Sequence, residues 1–127
     1  MMSESSVQQR IRLAAARLAT TLWRNNSGAL EDKDGRQVRF GLGNDSAKIN
    51  KVYKSADLIG ITPVTITPEH VGMTMGVFTA VECKPEGWKF TATEREYAQL
   101  RFLTDVRLHG GKAGFATSVE DYRSIIK

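Results

Sequence analysis

The sequence predicts a single α/β domain, and three observations predict it. The 127 residues, 41% hydrophobic and 25% charged, suffice for one core and match an ordinary globular composition. Two segments, one from residue 5 and one from residue 93, place apolar side chains at helical spacing behind good N-terminal caps. Between and after them lie short β-forming runs punctuated by Asn, Asp, Gly and Pro. The resulting order, α-β-β-β-β-α-β-α, belongs to an α/β or α+β architecture. No repeat, low-complexity tract or internal boundary divides residues 1–127.

Residues 5–19, SSVQQRIRLAAARLA, set Val7, Ile11, Ala14 or Ala15 and Leu18 on one stripe. Ser3 suits the N-cap, and Glu4 places negative charge in the first turn, where the helix dipole favours it. Thr21-Leu22-Trp23-Arg24 reads as a strand and Asn25-Asn26-Ser27-Gly28 as a turn. Residues 29–40 predict a hairpin, with Lys33-Asp34-Gly35-Arg36 at the turn and Val38-Arg39-Phe40 returning. Residues 41–55 are polar and read as a loop bearing Lys48, Lys51 and Lys54. The Gly-Leu-Gly at its start lacks the remainder of a phosphate-binding turn.

Asp57–Ile61 is the next strand. Residues 62–75, with two prolines and a glycine, form a connection or β-arm. Val77–Lys84 is apolar on both faces apart from Thr79 until it reaches Glu82, and reads as a central strand ended by Pro85-Glu86-Gly87. Thr93-Glu94-Arg95-Glu96 has capping-box form and opens a helix to about Leu108, which Gly110-Gly111 stops. Ala113–Ala116 is a last short strand, and Ser118 opens a terminal helix.

The net charge of +4 is a mild bias toward an anionic partner, of which nucleic acid is the commonest. No apolar run approaches the ~20 residues that cross a bilayer, and the start is too polar for a signal peptide. The single cysteine, Cys83, excludes an internal disulfide and argues against a cysteine-based zinc site. The expected setting is the cytoplasm.

The chemistry concentrates in Val81-Glu82-Cys83-Lys84. Residues i and i+2 of a strand point the same way, so Glu82 and Lys84 project side by side. They are either a surface ion pair or half of an active site. If the Asp57 strand pairs antiparallel with this one, Asp57, Glu82 and Lys84 meet at one sheet edge. Two carboxylates so placed suit Mg²⁺ or Mn²⁺, with the Cys83 carbonyl as a further oxygen. A neighbouring lysine then offsets charge on a phosphate or acts on metal-bound water.

This pattern resembles the PD-(D/E)xK nuclease superfamily. A closer resemblance, to the VRR-NUC family, runs through nearly the whole chain. It is carried by Glu4-Ser5-Ser6-Val7-Gln8, Trp23-Arg24-Asn25-Asn26-Ser27-Gly28, Ser55-Ala56-Asp57-Leu58-Ile59-Gly60, Val81-Glu82-Cys83-Lys84, and Ala98-Gln99 ahead of Gly110-Gly111. The resemblance implies a restriction-endonuclease-like α/β fold, a mixed sheet flanked by helices. It implies metal-dependent endonuclease cleavage of DNA, with Asp57, Glu82 and Glu4 at the metal, Lys84 as the catalytic lysine and Gln99 beside it. It also implies a homodimer acting on branched DNA, some members cutting four-way junctions. Members often have glycine three residues before the aspartate and proline directly before it, where this chain has Lys54 and Ala56. The alternative is a relative that binds nucleic acid without cleaving it.

The remaining candidates have plainer readings beside the functional one. Gln99 lies on the inward stripe with Phe102, Leu103 and Val106, so its amide needs a partner: an active-site water, Lys84 or a backbone carbonyl. Cys83 points opposite to Glu82 and reads as a packed core thiol. His70 and His109 are isolated, and Trp23 and Trp88 read as core or rim packing rather than base-stacking platforms. Arg24, Asn25, Lys48, Lys51, Lys54, Lys89 and Lys112 are candidate phosphate contacts, each of which equally suits a solvated surface.

Overall fold

A computed structural model describes residues 2–127. The chain forms two compact units, one ending at Gly60 and the other running Ile61–Lys127.

In the first unit, α1 (Glu4–Arg17) opens as expected, with the Ser3 side chain accepting the Ser6 N–H at 3.1 Å. Only Ala15 of its predicted apolar stripe is buried; Leu18 is 72% exposed. The helix ends where Ala19 enters the left-handed region at φ +58. β1 (Thr21–Arg24) follows and pairs with β4 (Leu58–Ile61). Gly60 is required in that pair, because a Cβ there would fall onto the Thr21 carbonyl.

The predicted hairpin forms between β2 (Gly28–Glu31) and β3 (Gln37–Phe40), in register from Gly28 opposite Phe40 to Glu31 opposite Gln37. Asp32 organises its turn by accepting the Asp34 and Arg36 N–H groups at 2.9 and 2.8 Å. Buried Asn44 closes the open end. Its amide donates to the Gly28 and Phe40 carbonyls at 2.8 and 2.9 Å and accepts from Arg39 at 3.1 Å.

Residues 41–55 are not wholly loop. Ser46 caps α2 (Ala47–Val52) by accepting the Ile49 N–H at 3.1 Å. Lys48 and Lys51 ride on this helix and Lys54 follows it.

In the second unit, a short 3₁₀ turn at Pro68–His70 precedes β5 (Thr79–Cys83), α3 (Glu94–Leu108), β6 (Lys112–Ala116) and α4 (Val119–Ile126). β5 and β6 pair in parallel, Thr79 opposite Lys112 and Cys83 opposite Ala116. That connection needs a crossover, which α3 supplies. Gln99 of α3 reaches side chains on one face of the pair. On the other face α4 packs so closely that a Cβ at Gly114 would lie 3.0 Å from Ile125. Leu103, Val106, Ala113 and Ala116 form the core of this unit. Burying Leu103 or Val106 contributes roughly 1.5–3 kcal/mol each.

The architecture is mixed α/β, but the expected antiparallel partnership of the Asp57 strand with the Glu82 strand is not formed. Among the described residues the strands make three two-stranded sheets, β1–β4, β2–β3 and β5–β6. The physical reason is local. The Asn25 N–H donates to the Asp57 carbonyl at 2.8 Å and holds the start of β4 beside the end of β1, while the α3 crossover commits β5 to β6. β5 is therefore not central within its unit.

Candidate active site

The side chains of Glu82 and Lys84 leave β5 and its continuation on the α3 side, as strand alternation requires. They do not touch as an ion pair. The Gln99 amide stands between them: Lys84 Nζ donates to Gln99 Oε1 at 2.8 Å, and Gln99 Nε2 donates to Glu82 Oε1 at 2.8 Å. The amide orientation follows from chemistry, since an ammonium only donates and a carboxylate only accepts. All three residues are half-buried. Of the partners open to Gln99, the structure selects Lys84 and adds Glu82.

Two aromatic rings complete the surroundings of Lys84. Its Nζ lies 5.4 Å from the Trp88 ring centroid and 5.8 Å from that of Phe115, within cation–π reach. Phe115 stands opposite Glu82 in the ladder and so shares its face; Trp88 packs on it at 4.9 Å between centroids. Trp88 reaches this position through the turn at Pro85–Gly87, where the Trp88 N–H donates to the Pro85 carbonyl and Gly87 adopts φ +82.

Glu96 then fixes Trp88. This carboxylate is 6% exposed. It accepts the Trp88 indole N–H at 2.9 Å, the Thr91 and Thr93 backbone N–H groups at 3.0 Å each, and the Thr91 hydroxyl at 3.1 Å. The Thr93 backbone bond leads the causes that hold its pKa at about 2, against an ordinary 4.5, with burial opposing.

Sequence reasoning missed Trp88, Phe115 and the wider reach of Glu96. The capping box signalled the bond from Glu96 to Thr93, but no periodicity links residue 88 to residue 96.

The other predicted residues belong to the first unit or serve locally. Asp57 and Glu4 are exposed carboxylates of the first unit, at the start of β4 and in the first turn of α1. Asn25 is occupied internally. Its amide donates to Ser55 Oγ at 2.8 Å and the Ala56 carbonyl at 2.9 Å, and accepts the Leu42 N–H at 3.3 Å. It clamps the approach to Asp57 rather than presenting donors to a phosphate. Cys83 is exposed, not a core thiol, because β5 ends there and the chain leaves the sheet. His70 accepts the Thr67 N–H in the 3₁₀ turn, and His109 bonds the Asp105 carbonyl at the end of α3. Arg24, Lys48, Lys51, Lys54 and Lys89 are all exposed.

The donors suit a hard cation. Mg²⁺ and Mn²⁺ take oxygen ligands, and Glu82 keeps Oε2 clear of the bond to Gln99. The Cys83–Lys84 peptide gives its N–H to the Ala116 carbonyl at 2.9 Å. Its own carbonyl, trans to that N–H, therefore points away from β6. Among the described residues no three His, Cys, Asp or Glu side chains stand grouped for a metal, so the protein ligand count from side chains alone is low. Mg²⁺ commonly binds through one or two carboxylates with water and phosphate completing its shell.

No helix among the described residues is long and apolar enough to cross a membrane. Comparison with protein-family models, curated proteins and solved structures gave no match to this chain.

Proposed function

We propose that the chain is a Mg²⁺- or Mn²⁺-dependent deoxyribonuclease, an endonuclease that hydrolyses DNA phosphodiester bonds and acts on branched DNA as a homodimer. The observation that carries this reading is the hydrogen-bonded series Glu82–Gln99–Lys84, an acid and a base held on one strand face by a shared amide. The resemblance in the sequence supplies the reaction class and the part given to Asp57.

Glu82 and the Cys83 carbonyl supply oxygens for the cation, and the resemblance alone adds Asp57 and Glu4 as ligands. When bound, a divalent ion lowers the pKa of its water and draws charge from the phosphate. Lys84 places a positive charge on the Glu82 face, where it offsets charge developing on phosphate oxygens. Gln99 and the two rings restrict the lysine to that face, so little reorganisation is needed as the charge develops. Lys48, Lys51, Lys54 and Lys89 add exposed positive charge for the backbone of the substrate.

The test is incubation of the purified protein with linear, flapped and four-way-junction DNA, with and without Mn²⁺. Cleavage is expected only with metal. Lys84→Ala should lower the rate by at least ~10²-fold, the scale of one well-placed acid–base or electrostatic group, while metal binding survives. A Lys84→Ala protein that cuts as fast as wild type removes the lysine from the mechanism. Metal at a hundredfold over Kd should stabilise the wild type by about 2.7 kcal/mol. Asp57→Ala and Glu82→Ala should each lose that gain, and a gain retained in both places the ion elsewhere.

A further inference from the structure

The first unit contains a cleft of about 560 Å³ lined by Ser5, Gln8, Gln9, Arg12, Leu13, Leu22 and Arg24. The first five follow the i, i+3, i+4, i+7, i+8 pattern of one helix stripe on α1. Leu22 and Arg24 share one face of β1. The stripe is polar apart from Leu13, and Ser5, Gln9, Arg12 and Leu13 on it are exposed, so it borders open space; the buried residue of α1 is Ala15.

The chemistry of the lining is one-sided. Two guanidinium groups and two carboxamides project from it, and no acid lines it. Among the described residues, neither arginine has an ion-pair partner, and the side chains of Gln8, Gln9, Arg12 and Arg24 make no hydrogen bond within the chain. Two cations at one cleft repel each other unless an anion lies between them. The guanidinium fork matches an oxyanion bidentately.

From this we infer that the α1–β1 cleft is a binding site for phosphodiester groups of a nucleic-acid backbone. Arg12 and Arg24 contact phosphate oxygens, and Gln8 and Gln9 donate the flanking hydrogen bonds. This identification of the anion rests on DNA being the substrate. The volume lies within the roughly 300–1,000 Å³ of ligand sites and so admits backbone as well as a single phosphate.

The test measures binding of a short duplex by fluorescence anisotropy, in chelator so that cleavage plays no part. Affinity is followed from roughly 50 to 200 mM salt, where the slope of log K against log salt counts phosphate contacts at about 0.9 each. R12A/R24A is expected to weaken binding and flatten the slope by at least about 0.9. K33A/R36A, which removes the same charge from the hairpin turn, should leave the slope unchanged. If circular dichroism shows R12A/R24A misfolded, R12Q/R24Q makes the same comparison.

An unchanged slope in the cleft variant overturns the site, as does equal flattening by the hairpin variant or a wild type that does not bind the duplex. A wild type that binds through this cleft but never cuts leaves the site standing and sinks only the nuclease reading. An unchanged slope for the cleft variant of a protein that does cut sinks the site alone.

Discussion

Glu96 shows how much one carboxylate can organise. It closes the capping box of α3, gathers two threonines of the preceding segment, and holds the indole against which Lys84 rests. Its pKa of about 2 lies below the ordinary 4.5, so between these values the unfolded chain binds more protons than the folded one. Stability therefore rises with pH through that window: the contribution is complete above about 4.5 and is lost as pH falls through about 2. Asp121 is lowered in the same direction, first by the Thr117 backbone N–H, so it adds to the same acid limb. Glu96→Gln should melt lower at neutral pH and lose stability less steeply on acidification, with the remaining slope due to groups such as Asp121. Thermal melts from neutral pH down to about pH 2 make the comparison, and parallel curves would remove Glu96 as the source. The need of Gln99 for an inward partner was legible, because a polar residue on an apolar stripe announces one. Which groups met it was not, because they lie on β5 and just past its end, 17 and 15 residues away in the chain.

At the level of elements, caps and stops were the most legible features because their chemistry is local. Ser3, the Thr93–Glu96 box and Gly110 act within a few residues of themselves. The short α2 escaped notice because only the Ser46 cap marks it and six residues carry too little periodicity to register. Strand pairing escaped because it is non-local: nothing in residues 77–84 states that the partner lies beyond α3. The end of α1 offers a direct test of local chemistry. Ala19 holds φ +58, where a Cβ costs roughly 1–2 kcal/mol. Glycine relieves that strain but loses roughly 0.5–1 kcal/mol through the freedom it adds to the unfolded chain. Ala19→Gly should therefore stabilise the protein by about 0.5–1 kcal/mol, read as a rise in the denaturation midpoint at constant m-value. A fall would mean that the left-handed turn is not what ends the helix.

For the molecule as a whole, composition and patterning disclosed a mixed α/β chain with excess positive charge. The proposed activity sets a further requirement at this scale. Symmetric cutting of a branched DNA needs two active centres, and the chain carries one Glu82–Gln99–Lys84 series. A two-fold dimer supplies the second through one self-complementary interface, with no new chemistry. Light scattering at working concentration should then give twice the 14.1 kDa chain mass before any DNA is added. Mixing wild type with Lys84→Ala extends the test from mass to mechanism. A dimer that exchanges subunits would form heterodimers with one competent centre, and these should nick one strand of a junction without resolving it. Supercoiled plasmids carrying an extruded cruciform separate the outcomes on one gel, as open circles from single nicks and linear molecules from paired cuts. A mass of one chain in solution that persists on junction DNA would remove the dimer, and with it the paired cut, while leaving single-centre hydrolysis by Lys84 to stand or fall on its own variant.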